Sequence, residues 1–229
     1  MKPVSNFEND TKFMDVYLNL LTKYSDYIDD TKPKEEDIVH FDYTKNKKGR
    51  EFFKFFNSHI IHDLVIELFP NLNHNNNFED DILLRLHNDY GIPNNLNEYC
   101  AINHFYTSNI DLYQYLLDHM YGATSKVLPP GYFFTILNIN NSLNKEVVYS
   151  KFKKKNISEQ AKEIIRKYDN LKPFTFEVKN NELIVFINTQ HLFLVRFREE
   201  ALNAAYLYEH YNKIKSSLNL IEDLRKLYN

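Results

Sequence analysis

The most suggestive cluster of histidine and carboxylate side chains is Ser58-His59-Ile60-Ile61-His62-Asp63, and Glu79, Asp80, Asp81 and His87 accompany the next apolar run. Imidazole and carboxylate are the ligands a hydrolytic metal takes. A water activated by such a metal beside His59, His62, Asp63 and Asp81 would make a phosphoesterase or nuclease, with His62 and Asp63 as its catalytic pair. The expected backbone stands against this. His59 and His62 share a face on a helix but point to opposite faces of a strand, and the run that follows them reads as a strand. The familiar His-Asp phosphohydrolases place their pair on a helix of an all-helical domain and need a distant His and Asp. His40 could supply that His, but the β-rich neighbourhood contradicts the fold. The economical role for His62 and Asp63 is a structural hydrogen bond where a strand begins.

Other chemistries lack their parts. Cys100 is the only cysteine, which excludes a disulfide framework and a cysteine-rich zinc or iron–sulfur site, and a small buried thiol is its ordinary role. Cys100 and His104 are spaced for a helix, whereas the local pattern is that of a strand, and no Gly-x-Ser-x-Gly elbow exists. The Arg-x(4–6)-His signature of small helical ribonucleases finds no match: Arg50 to His59 and Arg198 to His210 are too long, and Arg85 to His87 is too short. The four glycines, Gly49, Gly91, Gly122 and Gly131, are too scattered to build a Walker A loop or a dinucleotide fingerprint. No cofactor is therefore expected.

What remains is surface. The chain carries 28 basic and 31 acidic side chains, a net charge of −3, so phosphates meet no global attraction. The best candidate for a local basic patch is Lys151-Phe152-Lys153-Lys154-Lys155. It reads first as a solvated surface and in the alternative as a nucleic-acid site on Lys151, Lys153, Lys154 and Lys155. Seventeen tyrosines and 18 phenylalanines, with no tryptophan, are the other excess. Tyrosine buries a large area and keeps a polar tip, which suits partner surfaces, so Tyr106, Tyr113, Tyr206, Tyr208 and Tyr211 are candidate partner-binding residues. Equally, Tyr and Phe could fill the core of a protein from an AT-rich genome, a source also suggested by the 29 asparagines.

The elements that must position these residues follow from periodicity. Phe7 to Asp29 predicts an amphipathic helix with Phe7, Met14, Tyr17, Leu18, Leu21, Tyr24 and Ile28 inward. Thr31 to Gly49 is a connection, and a second helix from about Lys47 carries Phe52, Phe53 and Phe56. Ile60–Phe69 and Asp80–Asn88 predict two strands around the asparagine-rich turn 71–77, with Ile82, Leu84 and Leu86 on one face. Tyr99 to Thr107 completes a meander. A helix capped at Ser108 or Asn109 runs through Leu112, Tyr115, Leu116 and His119 to Gly122. Tyr132 to Ile139 is a strand with which Glu146 to Phe152 pairs, and a helix after Asn156 carries Ala161, Ile164, Ile165 and Tyr168 to a stop at Pro173. Asn180-Asn181 turns a hairpin between Phe174–Val178 and Leu183–Ile187. His191–Phe197 adds a strand, and Arg198–Tyr228 forms a long final helix.

The fold class expected is α+β: antiparallel sheet with an N-terminal amphipathic helix and a long C-terminal helix. One compact domain spans 1–229, with lobes 1–128 and 132–229 possible around Pro129-Pro130-Gly131. The start of the chain has no apolar core of a secretory signal, and no apolar run reaches the roughly 20 residues that span a bilayer, so a cytoplasmic protein with no membrane partner is expected.

His62-Asp63-Leu64-Val65-Ile66, followed by Asp81-Ile82-Leu83-Leu84-Arg85-Leu86 and later by Asn181-Glu182-Leu183-Ile184-Val185-Phe186, resembles a pattern in uncharacterised bacterial proteins and immunity proteins of polymorphic-toxin systems. There a His-Asp pair precedes a hairpin of a curved antiparallel sheet. The resemblance covers about a third of the chain and implies no catalytic residue. Together these readings favour a non-enzymatic protein-interaction module of the immunity, antitoxin or inhibitor type, ahead of the metal-dependent and nucleic-acid-binding alternatives. They leave the oligomeric state open.

Overall fold

Asp10 starts the first helix: its carboxylate accepts from the Phe13 amide at 3.0 Å, and α1 runs Thr11–Lys23. The computed structural model describes residues 9–24, 59–76, 78–95, 99–117, 131–140, 145–188 and 204–229. The face that α1 buries is Phe13, Val16, Tyr17 and Leu20, continued by Tyr24. That stripe is displaced around the helix from the expected one: Leu18 is 53% exposed and Met14 and Leu21 are half-buried.

Ile61–Leu68, expected as a strand, is a helix, α2. The reason is visible in which positions are apolar. As a strand, one face would carry Ile61, Asp63, Val65 and Glu67, a mixed set. As a helix, Ile61, Leu64, Val65 and Leu68 form one clean buried stripe at three- and four-residue steps. α1 and α2 run antiparallel, tied by Lys12 Nζ donating to the Leu68 carbonyl at one end and Lys23 Nζ donating to Asp63 at the other.

Asp80–Tyr90 is also a helix, α3, so neither strand of the expected hairpin forms, and the hairpin that the His62-Asp63 resemblance implies is absent. Its ends decide the matter. Asp80 and Asp81 lie in the first turn, where the helix dipole favours negative charge. Gly91 takes φ 68° just past the end, and its amide and that of Ile92 close on the His87 and Leu86 carbonyls. Leu83 and Leu86 are buried, whereas Leu84, expected inward, is 53% exposed. The polar run between the helices contributes a short edge strand, β1 Asn73–Asn75.

The remaining elements are β2 Tyr99–Tyr106, β3 Asp111–Leu117, β4 Gly131–Asn138, β5 Val147–Tyr149, β6 Lys154–Lys155, α4 Glu159–Lys167, β7 Phe174–Lys179, β8 Glu182–Asn188 and α5 Ala204–Tyr228. The strands form one antiparallel sheet in the order β1-β2-β3-β4-β8-β7-β5-β6. Three expectations are corrected by it. β3 replaces the helix expected from Ser108 or Asn109. Leu112, Tyr115 and Leu116 fit helical steps, but both faces of an interior strand are buried, which blurs its alternation. β5 pairs with β6 and β7, not with β4. Ser158, rather than Asn156, caps α4, its Oγ accepting from the Ala161 amide at 3.1 Å. β2, β4 and the β7–β8 hairpin lie where expected, and Asn180 and Asn181 take φ 52° and 60° in its turn. The α+β class, with its N-terminal helix and long final helix, is the one expected.

One row of the sheet is aromatic: His104, Tyr113, Phe134 and Phe186 are successive cross-strand partners on β2, β3, β4 and β8. Phe78, Leu83, Leu86 and Ile92 pack against that face. The opposite face buries Phe105, Leu112, Phe133, Val185 and Phe176, and Tyr228 of α5 meets Phe176 there. The chain divides into two units, residues 1–72 with 192–214 and residues 73–191 with 215–229, so the whole sheet belongs to the second. The helix carrying Phe52, Phe53 and Phe56, the expected strand His191–Phe197, His40, Pro129-Pro130 and Gly122 lie outside the described residues.

Candidate functional site

His59 is exposed in the helical lead-in to α2, His62 and Asp63 lie on α2, and Asp81 sits in the first turn of α3. Asp63 is the hub of a small network: its carboxylate accepts from Lys23 Nζ and from Tyr24 Oη at 2.5 Å, and lies 3.1 Å from His62 Nδ1. Partial burial pushes this carboxyl up, but the hydrogen bonds from His62, Lys23 and Tyr24 outweigh it and hold it well below the usual carboxylate range. Burial, with Asp63 alongside, pushes the Tyr24 phenol up to about 12. These groups clamp α1 onto α2. Among the described residues no three His, Cys, Asp or Glu side chains form a group able to hold a metal.

A second His-carboxylate pair stands on the sheet. His104 Nε2 is 2.9 Å from Asp111 Oδ1, and its ring stacks on Tyr113 at 4.2 Å and on Tyr106 at 4.8 Å. This accounts for two of the five tyrosines. Tyr106, 36% exposed, caps the stack at the surface, whereas Tyr113 is core. Tyr211 is core as well, packed between Phe13 and Phe69, and Tyr208 is half-buried against Phe13. Tyr113 and Tyr211, expected on a partner surface, are thus interior fillers, and the Tyr206 side chain lies outside the described residues.

The lysine run has the opposite character. β5 and β6 make a hairpin whose turn is Ser150-Lys151-Phe152-Lys153. The Ser150 amide donates to the Lys153 carbonyl at 2.8 Å, and Ser150 Oγ accepts from the Lys153 amide at 2.9 Å. At the base, Lys155 pairs with Glu146, and Asn156, at φ 53°, donates through Nδ2 to the Glu146 carbonyl at 2.8 Å. The Lys155 hydrogen bond holds the Glu146 carboxyl below its usual range. The turn so fixed leaves Phe152 91% exposed, with Lys151 Nζ 5.4 Å from its ring. An aromatic side chain that exposed contributes almost no apolar burial to the fold. Among the described residues no carboxylate pairs with Lys151, Lys153 or Lys154.

Beside the hairpin, on the face where Tyr149 stacks on Phe176 at 5.4 Å, lies a pocket of about 300 Å³ lined by Tyr149, Lys154, Asn156, Ile157, Lys162, Ile165 and Arg166. Lys162 and Arg166 stand one turn apart on α4, and Lys154 Nζ reaches over the Tyr149 ring at 5.9 Å. The segment 145–168 holds eight basic and three acidic residues, which leaves 20 basic and 28 acidic in the rest of the chain. The mild net charge therefore conceals a strongly basic segment.

Reading the lysines as a linear run reached the hairpin but missed Tyr149 as a pocket wall, along with Lys162 and Arg166. Their signal was the four-residue spacing of two cations on a helix directly after the run. It becomes a site only because α4 folds back beside β6. No family model matches the chain, no curated protein matches it in sequence, and no solved structure matches its fold.

Proposed function

We propose that the protein binds single-stranded nucleic acid through the β5–β6 hairpin. The observation that carries this reading is Phe152, 91% exposed at a turn whose neighbours Lys151, Lys153 and Lys154 have no carboxylate partner among the described residues. Interleaved cations and an exposed ring are what a single strand requires: lysines answer the phosphates, and the ring offers a stacking platform to an unpaired base. A duplex keeps its base faces stacked and gives Phe152 nothing to meet.

The test is fluorescence anisotropy with a labelled single-stranded oligonucleotide across a salt series. Affinity should fall with salt, at a log–log slope of about −0.7 for each phosphate neutralised. Lys151→Ala/Lys153→Ala/Lys154→Ala should weaken binding at least tenfold and flatten that slope by about two. Phe152→Ala, which removes one stacking platform, should cost about 1–3 kcal/mol of binding. These side chains are exposed, so loss of binding will not reflect unfolding. Binding that ignores salt or either variant overturns the proposal, as does preferential capture by vesicles rich in anionic lipid. A protein-interaction role of the immunity or inhibitor type predicts no oligonucleotide affinity, so the same titration separates the two.

A further inference from the structure

We infer that the pocket beside the hairpin binds a single nucleotide, its phosphate held by Lys154, Lys162 and Arg166 and its base laid against Tyr149 and the aliphatic wall of Ile157 and Ile165. None of the seven lining residues is acidic, and three are cations drawn from two elements, β6 and α4. Arg166 uses Nε to donate to the Lys162 carbonyl at 3.3 Å, and the rest of its guanidinium has no partner among the described residues. That leaves the planar edge that grips a phosphate through two hydrogen bonds. Lys162 is paired with Glu159 at 2.6 Å, but both side chains are at least half exposed, and such a surface pair yields readily to a doubly charged phosphate. The lining combines two chemistries in equal number, the cations Lys154, Lys162 and Arg166 and the apolar or aromatic Tyr149, Ile157 and Ile165. An inorganic phosphate would use only the first half. The volume, about 300 Å³, sits at the small end of ligand pockets and admits one nucleotide rather than several.

The choice of a nucleotide as the carrier of that phosphate rests on the hairpin reading above, since a strand lying across Phe152 could drop its terminal nucleotide into the pocket. The experiment is a titration of the full chain with adenosine 5′-monophosphate, inorganic phosphate and adenosine separately, followed by calorimetry and by amide NMR shifts. Adenosine monophosphate should bind at least tenfold more tightly than either fragment, with shifts concentrated at Tyr149, Ile157 and Arg166. Arg166→Glu should abolish this binding, and Lys162→Gln should weaken it. Arg166 and Lys162 are exposed, so both variants should keep the native thermal midpoint. Lys151→Ala/Phe152→Ala/Lys153→Ala should retain nucleotide binding while losing the oligonucleotide. Oligonucleotide binding without nucleotide binding overturns the pocket assignment and leaves the hairpin standing, and the reverse result upholds the pocket and overturns the hairpin. Inorganic phosphate binding as tightly as the nucleotide overturns the assignment of the base-binding wall.

Discussion

His210 of α5 is fully buried, and burial, with Lys213 nearby on the same helix, lowers its imidazole from 6.5 to about 3. The folded protein thus holds it neutral at pH values where the unfolded chain would protonate it. Between pH 6.5 and about 3 the unfolded state binds the extra proton, so stability is lost as pH falls through that window, at about 1.4 kcal/mol for each pH unit. Asp63 acts lower down. Its folded carboxyl is depressed, so its contribution is complete above the ordinary carboxylate range and is lost only as pH drops below about 3.8. Urea midpoints at pH 7, 6 and 5.5, above the range where the lowered Glu146, Glu182 and Glu222 carboxyls begin to lose their contribution, should therefore show a decline that His210→Asn removes and Asp63→Asn leaves in place. An equal decline in the His210 variant would refute the assignment. Asp63→Ala has its own signature: it takes the acceptor from the hydroxyl of the buried Tyr24 and should cost about 1–3 kcal/mol at pH 7.

At the scale of elements, α3 invites the sharpest check because its sequence alternates well enough to pass for a strand. Ile82, Leu84 and Leu86 share a face if it is one; in the helix Leu84 is exposed and Leu83 is buried. Leu83→Ala should cost about 2–5 kcal/mol, the range for a buried leucine, while Leu84→Ala should stay within about 0.5 kcal/mol. The reverse order would restore the strand. Gly91→Ala should cost about 1 kcal/mol through backbone strain alone, because φ is 68° and a Cβ there meets nothing within 4 Å. Short apolar runs fit either period, so what distinguished α2 and α3 from strands was the placement of polar residues and end signals: Asp63 in the middle of a would-be strand face, two aspartates at a helix start, and a glycine after its end. β3 misled in the other direction because burial on both faces hides alternation. The β7–β8 hairpin was legible because Asn180-Asn181 specifies its turn locally.

For the molecule as a whole, charge is distributed more tellingly than it is summed. A chain of net −3 places eight of its 28 basic residues within 145–168, the segment that also carries the exposed Phe152 and the pocket lined by Lys154, Lys162 and Arg166. The run Lys151–Lys155 was readable as a basic segment from its residues alone. Its convergence with Lys162 and Arg166 was not, because that depends on α4 returning beside the hairpin. The tyrosines show the converse: their number suggested a partner surface, and packing places Tyr113 and Tyr211 inside. The central claim, that this basic segment is the working surface, is tested most directly by the salt dependence of single-stranded oligonucleotide binding to the native chain and to Lys151→Ala/Lys153→Ala/Lys154→Ala. A steep native slope that falls by about two in the variant is the predicted result. Equal slopes, or no binding by the native chain, would contradict it.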